Sequence, residues 1–228
     1  MAKIKLSMVM SDISGKLNGS VFARNRGGLY VRTKVTPANP QTAAQQLARS
    51  ILGALSQGWK ALTVAQRLSW NNAVTNFAST DVFGDIRNPS GLNLFVKLNA
   101  NLQNVGIPAI TVAPSPTGVI ASTPFTLVAD ATLGTFTLDN GSIVVPADTS
   151  LVIESTAGVS AGKSNVNSLY RKIGTLAPAG VISADFAAFQ SLKFGSLVIG
   201  QRYSVRIKFV NNLTGEVSVP ISATSIAI

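Results

Sequence analysis

The chain has 228 residues, no Cys and no His, which excludes thiolate nucleophiles, disulfides, Cys/His zinc sites and imidazole-based relays. Its 46% apolar content and mean hydropathy of +0.33 are not gathered into any run of about 20 apolar residues, so no membrane span is expected. Only 12% of residues are charged, yet the net charge is +10, which points to an apolar surface covered by neighbours in an assembly and to an acidic or polyanionic partner.

Residues 1–38 read as a basic extended arm with a β-hairpin. Val21 to Arg24 and Leu29 to Arg32 flank Asn25-Arg26-Gly27-Gly28, whose glycines suit the positive φ of a tight turn. An isolated hairpin is marginal, so a partner sheet or subunit is expected. Thr36 to Pro40 reads as a stiff connector, with Asn39 capping a helix that starts at Pro40.

Residues 39–105 read as a helical domain. Ala44, Leu47, Ala48, Ile51 and Leu55 fall at helical spacing, and Gly58 is expected to interrupt the helix. Thr63-Val64-Ala65-Gln66 is a capping-box pattern opening a second helix whose stripe includes Trp70, Ala73, Val74 and Phe77. Trp59 and Trp70 are expected in the core of this helical hairpin. Asp85 to Gly91 is turn-rich, and Ser90 caps a third helix carrying Leu94, Phe95, Leu98 and Leu102.

Residues 106–123 hold Pro108, Pro114 and Pro116, with Pro124 just beyond, and read as a Pro-rich linker. From 124 to 228 the texture changes to short alternating runs. Strands are expected at 125–128, 135–138, 142–145, 151–154, 181–183, 203–209 and 217–221, with a short helical turn at 185–189. That pattern predicts an all-β immunoglobulin-like sandwich, so the fold class expected is α+β, multi-domain.

Chemical motifs are sparse. Gly158 to Ser164 approximates a phosphate-binding loop, but Ala157 stands where the pattern needs Gly, and no helix is expected to follow. Asp81 and Asp85 read as loop residues, and Asp139, Asp148 and Glu154 as turn and surface residues, none forming an acid/base pair. No metal site and no cofactor is expected, and the chain is read as a non-enzyme.

The basic cluster is the strongest signal. Ten Lys and Arg residues fall within 1–80, with Asp12 the only acid there. Arg24, Arg26, Arg32 and Lys34 are interleaved with Tyr30, and Arg49 follows; these five form the candidate partner- or polyanion-binding set. Charge alone leaves nucleic acid and an acidic protein patch both open.

Ser14-Gly15-Lys16-Leu17-Asn18-Gly19-Ser20-Val21-Phe22-Ala23-Arg24 is followed by Gly28, Tyr30, Val31 and Arg32. Then come Pro37-x-Asn39-Pro40-x-Thr42-x-x-Gln45, Arg49, Trp59, Leu62-Thr63, Gln66-Arg67 and Trp70-Asn71. This signature resembles a widespread family of uncharacterised proteins from tailed bacteriophages and Bacteroidetes genomes. The resemblance implies a structural virion protein (accessory capsid, neck or tail-ring subunit) made in the host cytoplasm. Its implied partners are capsid, portal or tail subunits, further copies of itself and packaged DNA. It transfers no catalytic residues. The alternatives are a nucleic-acid-binding protein and a glycan- or cell-surface-binding module carried by the sandwich.

Overall fold

The computed structural model describes residues 2–5, 12–119, 124–139, 145–178 and 185–228. It is a mixed α+β chain. Three parts follow one another along the sequence: an N-terminal sheet, a helical cluster and a larger β part.

Strands β1 (Ala2–Lys3), β2 (Gly15–Leu17), β3 (Ser20–Asn25) and β4 (Gly28–Thr33) form an antiparallel sheet in the order β1-β4-β3-β2. The expected hairpin is its centre, with Arg24 opposite Leu29 and Asn25 opposite Gly28. Of the two glycines expected to turn the chain, Gly28 takes the positive φ of 103°, while Gly27 donates its amide to Asn25 Oδ1. The hairpin finds its partner strands within its own chain.

Helix α1 (Ala43–Ala61) starts later than the sequence suggested. Gln41 sits at φ 50°, and Thr42, not Asn39, is the N-cap, accepting from the Gln45 amide. Asn39 instead accepts a hydrogen bond from Arg49 at 2.8 Å. Nor does Gly58 break the helix: it lies inside α1, where a Cβ would make only ordinary contact with Phe95. Packing of Trp59 against Phe95, 5.5 Å between ring centres, outweighs the roughly 1 kcal/mol cost of an interior glycine.

Helix α2 (Val64–Ala73) opens on the expected capping box and runs into a 3₁₀ turn, Val74–Phe77. A small hairpin of β5 (Ser79–Thr80) and β6 (Ile86–Arg87) precedes α3 (Gly91–Asn104), capped by Ser90. Leu55, Leu62, Trp70, Leu94, Phe95 and Leu98 form the helical core. Trp70 is fully buried edge-on to Phe95 and donates its indole N–H to the Thr111 carbonyl. Within the Pro-rich stretch, Ile110 exchanges hydrogen bonds with the buried Asn99 amide, and Ala113 N–H donates to Ser69 Oγ. Residues 110–113 are therefore strapped to the helices.

The β part contains β7 (Thr126–Asp130), β8 (Thr135–Asp139), β9 (Thr149–Ser155), β10 (Val159–Ser160) and β11 (Arg171–Leu176). Helix α4 (Ala187–Phe194), β12 (Gln201–Asn211) and β13 (Ile221–Ile226) complete it. Long β12 is the hub: it pairs with β9, β10 and β13, and β11 lies on β9. The β7–β8 hairpin packs its Leu127, Ala129, Phe136 and Leu138 into the same core as Leu151, Ile153, Tyr203, Val205, Ile207 and Phe209. Residues 142–144 and 181–183, expected as strands, lie outside the described residues.

The last strand is displaced from the expected 217–221. Pro220 has no N–H to give a ladder, and Val217 makes only an isolated bridge to Val210 before β13 begins. The expected helical turn at 185–189 extends into the full two turns of α4.

One close approach joins helices to sheet. Gly215, at φ 75°, lies so near α3 that a Cβ there would sit 2.4 Å from the Leu98 carbonyl oxygen. Asn101 donates to the Gly215 carbonyl at 2.8 Å, and Lys172 of β11 donates to the carbonyl of Asn104 at the end of α3.

Candidate functional site

The pleat separates the basic cluster that the sequence runs together. Alternation along the strands and the pairing register place Lys3, Lys16, Val21, Ala23, Tyr30 and Arg32 on one face of the N-terminal sheet. Lys34, whose amide donates to Gly19 O, continues that alternation two residues beyond Arg32. The opposite face carries Ala2, Leu17, Phe22, Arg24, Leu29 and Val31. Arg32 and Lys34 are thus brought together, joined by Lys16, which the sequence reading had not singled out. Arg24 is set apart from them, its guanidinium 3.8 Å from Asp12. Arg26 is exposed in the turn, and Arg49 lies on α1, bonded to Asn39.

Among the described residues, nothing seals either face of this sheet. No described residue of the sheet reaches burial, and none belongs to either hydrophobic core. Leu17 is 69% exposed. The apolar stripe of α1 behaves similarly: Leu55 is buried, Ile51 half-buried, and Leu47 62% exposed, so the stripe runs out past its cover. A sheet or helix face of this kind is normally stable only when another layer covers it.

An acidic clasp ties the sheet to the helical part. Asp81 accepts from Lys3 at 2.9 Å, from both Nε and Nη2 of Arg87, and from the backbone amides of Phe83 and Asp85. Its side chain is 3% exposed. The Lys3 hydrogen bond is the largest influence on its carboxyl and, with those amides and Arg87, outweighs burial and holds it far below the ordinary aspartate range. Beside it, Lys5 pairs with Asp85 at 3.2 Å and lies over the Phe83 ring. Both carboxylates read from sequence as loop residues are in the loop, and both serve as anchors.

Between the sheet and this hairpin lies an open cavity of about 510 Å³ lined by Tyr30, Val82 and Phe83 with Lys3 and Gly28. A second, of about 440 Å³, is bordered by Arg26, Arg87 and Asn93. Among the described residues there is no group of three or more acidic side chains placed to hold a metal ion. Gly158 to Ser164 forms the short strand β10 and a turn, with no helix after it. A Cβ at Gly158 would meet the end of the Gln201 side chain at 1.8 Å and the Tyr203 hydroxyl at 2.7 Å, so a larger residue there would displace those side chains.

Glu154, read from sequence as a turn or surface residue, is instead central to the large sheet. Opposite Arg206 across the β9–β12 ladder, it accepts from Arg206 and, at 2.7 Å, from Lys208. Burial works to raise its carboxyl, but hydrogen bonds from Lys208 and Arg206 prevail and lower it. Tyr170 stacks on the Arg206 guanidinium at 4.4 Å. Nearby, burial and then the charge of Lys208 lower the Lys172 ammonium. Most aromatic rings of the β part are spent on its core; Phe189 on α4 is 45% exposed.

No helix of the described residues is long and apolar enough to cross a membrane. No family model, curated protein or solved structure matches the chain.

Proposed function

We propose that the chain is a structural protein of a tailed-bacteriophage particle, an accessory capsid, neck or tail-ring subunit that works by assembly and not by catalysis. One observation carries this reading: a four-stranded sheet in which no described residue is buried, with Leu17, Phe22, Leu29 and Val31 on a single face. Such a face gains stability when a neighbouring subunit supplies the missing layer, at roughly 25 cal/mol per Å² of apolar area covered. The uncovered stripe of α1 offers a second contact of the same kind to another copy or a neighbouring virion protein.

In this reading the N-terminal arm and the helices dock, and the region from 124 onward packs on or projects from the shell as an immunoglobulin-like sandwich. The β7–β8 hairpin stacked on the β12-centred sheet supports that description. The finished protein would be found in the virion after synthesis in the host cytoplasm.

Density-gradient-purified particles from the encoding phage, probed by quantitative mass spectrometry, test the proposal. The chain is expected at a fixed copy number per particle. Recovery only in the soluble fraction of the lysate contradicts it.

A further inference from the structure

We propose that the basic face of the N-terminal sheet binds the phosphate backbone of duplex nucleic acid through Lys16, Arg32 and Lys34. The inference goes beyond the assembly reading and does not depend on it. Lys16 and Arg32 lie in one row across the sheet, each opposite Val21 on β3. Two strand spacings put their backbones about 10 Å apart, and Lys34 follows Arg32 by about 7 Å along the strand. All three are exposed, and none has an ion-pair partner among the described residues.

The acids that might neutralise them are committed elsewhere. Asp81 is held by Lys3 and Arg87, Asp85 pairs with Lys5, and Asp12 pairs with Arg24 of the other face. The three cations therefore form an uncompensated positive surface. It is open and spread over two strands, which suits an extended polyanion better than a small anion. Two of the three cations are lysines, a residue depleted from the cores of protein interfaces but common against phosphate. Those features favour nucleic acid over an acidic protein. Contacts of this type position a duplex without reading its sequence.

The test is fluorescence anisotropy of the full chain with a labelled mixed-sequence duplex of about 20 base pairs, at salt from 50 to 200 mM. Three phosphate contacts contribute about −2.7 to the slope of log affinity against log salt, an approximately 40-fold loss over that range. Lys16→Gln, Arg32→Gln and Lys34→Gln should each reduce the slope by about 0.9, with circular dichroism confirming the fold of each exposed-site variant. Arg24→Gln, on the other face, should leave the slope unchanged. An unchanged slope in the three single variants overturns the proposal, as does an equal loss from Arg24→Gln. Binding to poly-glutamate without binding to duplex also overturns it. Particle incorporation of the same variants reads the assembly proposal separately.

Discussion

Lys3 and Asp81 meet at 2.9 Å across 78 residues of chain, and their pairing fastens the first strand of the N-terminal sheet to the β5–β6 hairpin. Arg87 holds the same carboxylate oxygen, so one buried acid anchors two cations and two backbone amides. Among the described residues the sheet contributes to neither hydrophobic core, and this polar clasp, with the Lys5–Asp85 pair beside it, ties it to the helical part.

Asp81→Asn should therefore loosen the sheet before it affects the helices. The charge that draws Lys3 and Arg87 together disappears, while the turn amides keep an acceptor. Faster tryptic cleavage within residues 3–34 is expected, with the thermal transition of the remainder little changed. The wild-type clasp has a definite pH dependence. Because the folded-state carboxyl is lowered, its contribution is complete well above the ordinary aspartate value of 3.8 and is lost as pH falls through the folded-state value, in strong acid. Cleavage rates, each divided by the rate for an unstructured peptide substrate at the same pH, should thus be flat from pH 8 to about pH 5 if the clasp governs them.

Trp70→Ala should destabilise the helical part by about 3–5 kcal/mol, because a fully buried ring edge-on to Phe95 is removed and the Thr111 carbonyl loses its donor. Trp70→Phe keeps most of the volume and should cost less. Urea titration followed by far-ultraviolet circular dichroism measures both, and a loss under 1 kcal/mol for the alanine variant contradicts this account of the core.

Gly215→Ala should cost more than Gly134→Ala. Both positions have positive φ, 75° and 69°, so both incur backbone strain of about 1 kcal/mol or more. Only at Gly215 does the added methyl collide with the Leu98 carbonyl. Differential scanning calorimetry of the two variants separates the collision from the strain; equal shifts in Tm would show that the α3 contact is not close in solution.

Glu154→Gln removes the charge shared by Arg206 and Lys208 and leaves two cations side by side on one half-buried face of β12. A loss of about 1–3 kcal/mol is expected at neutral pH. Since the Glu154 carboxyl is lowered in the folded state, the difference between wild type and variant should persist above the ordinary value of 4.5 and shrink as pH falls below it. Chemical denaturation at pH 7 and pH 3 measures the gap.

Much of this architecture is legible in the sequence because the signals are local. The Thr63 capping box, the Ser90 cap, and the helical spacing of Leu94, Phe95 and Leu98 each appear in the structure as read. The misreadings come from tertiary effects. Gly58 stays helical because Trp59 and Phe95 pack beside it, and β11 escapes notice because Lys172 and Gly174 break the alternation of a strand that carries a bulge. Thr42 and Gln45 could have been found as the cap of α1, since their spacing matches that of Thr63 and Gln66. At the candidate site, the cluster of cations was visible, but its division between two faces was not. That division depends on register, which pairs Lys16 with Val21 and Val21 with Arg32, and no count of charges along a chain contains it. The Asp81 clasp was hidden for the same reason: its partner lies 78 residues away.

The central claim is that the leading sheet is completed by other molecules. Limited trypsin digestion, comparing the purified chain with the chain inside particles, tests it most directly, because Lys16, Arg24, Arg26, Arg32 and Lys34 are all exposed cleavage sites within that sheet or at its edges. The account predicts rapid cutting at these positions in the free chain and protection in the particle. Equal resistance in both states would contradict it.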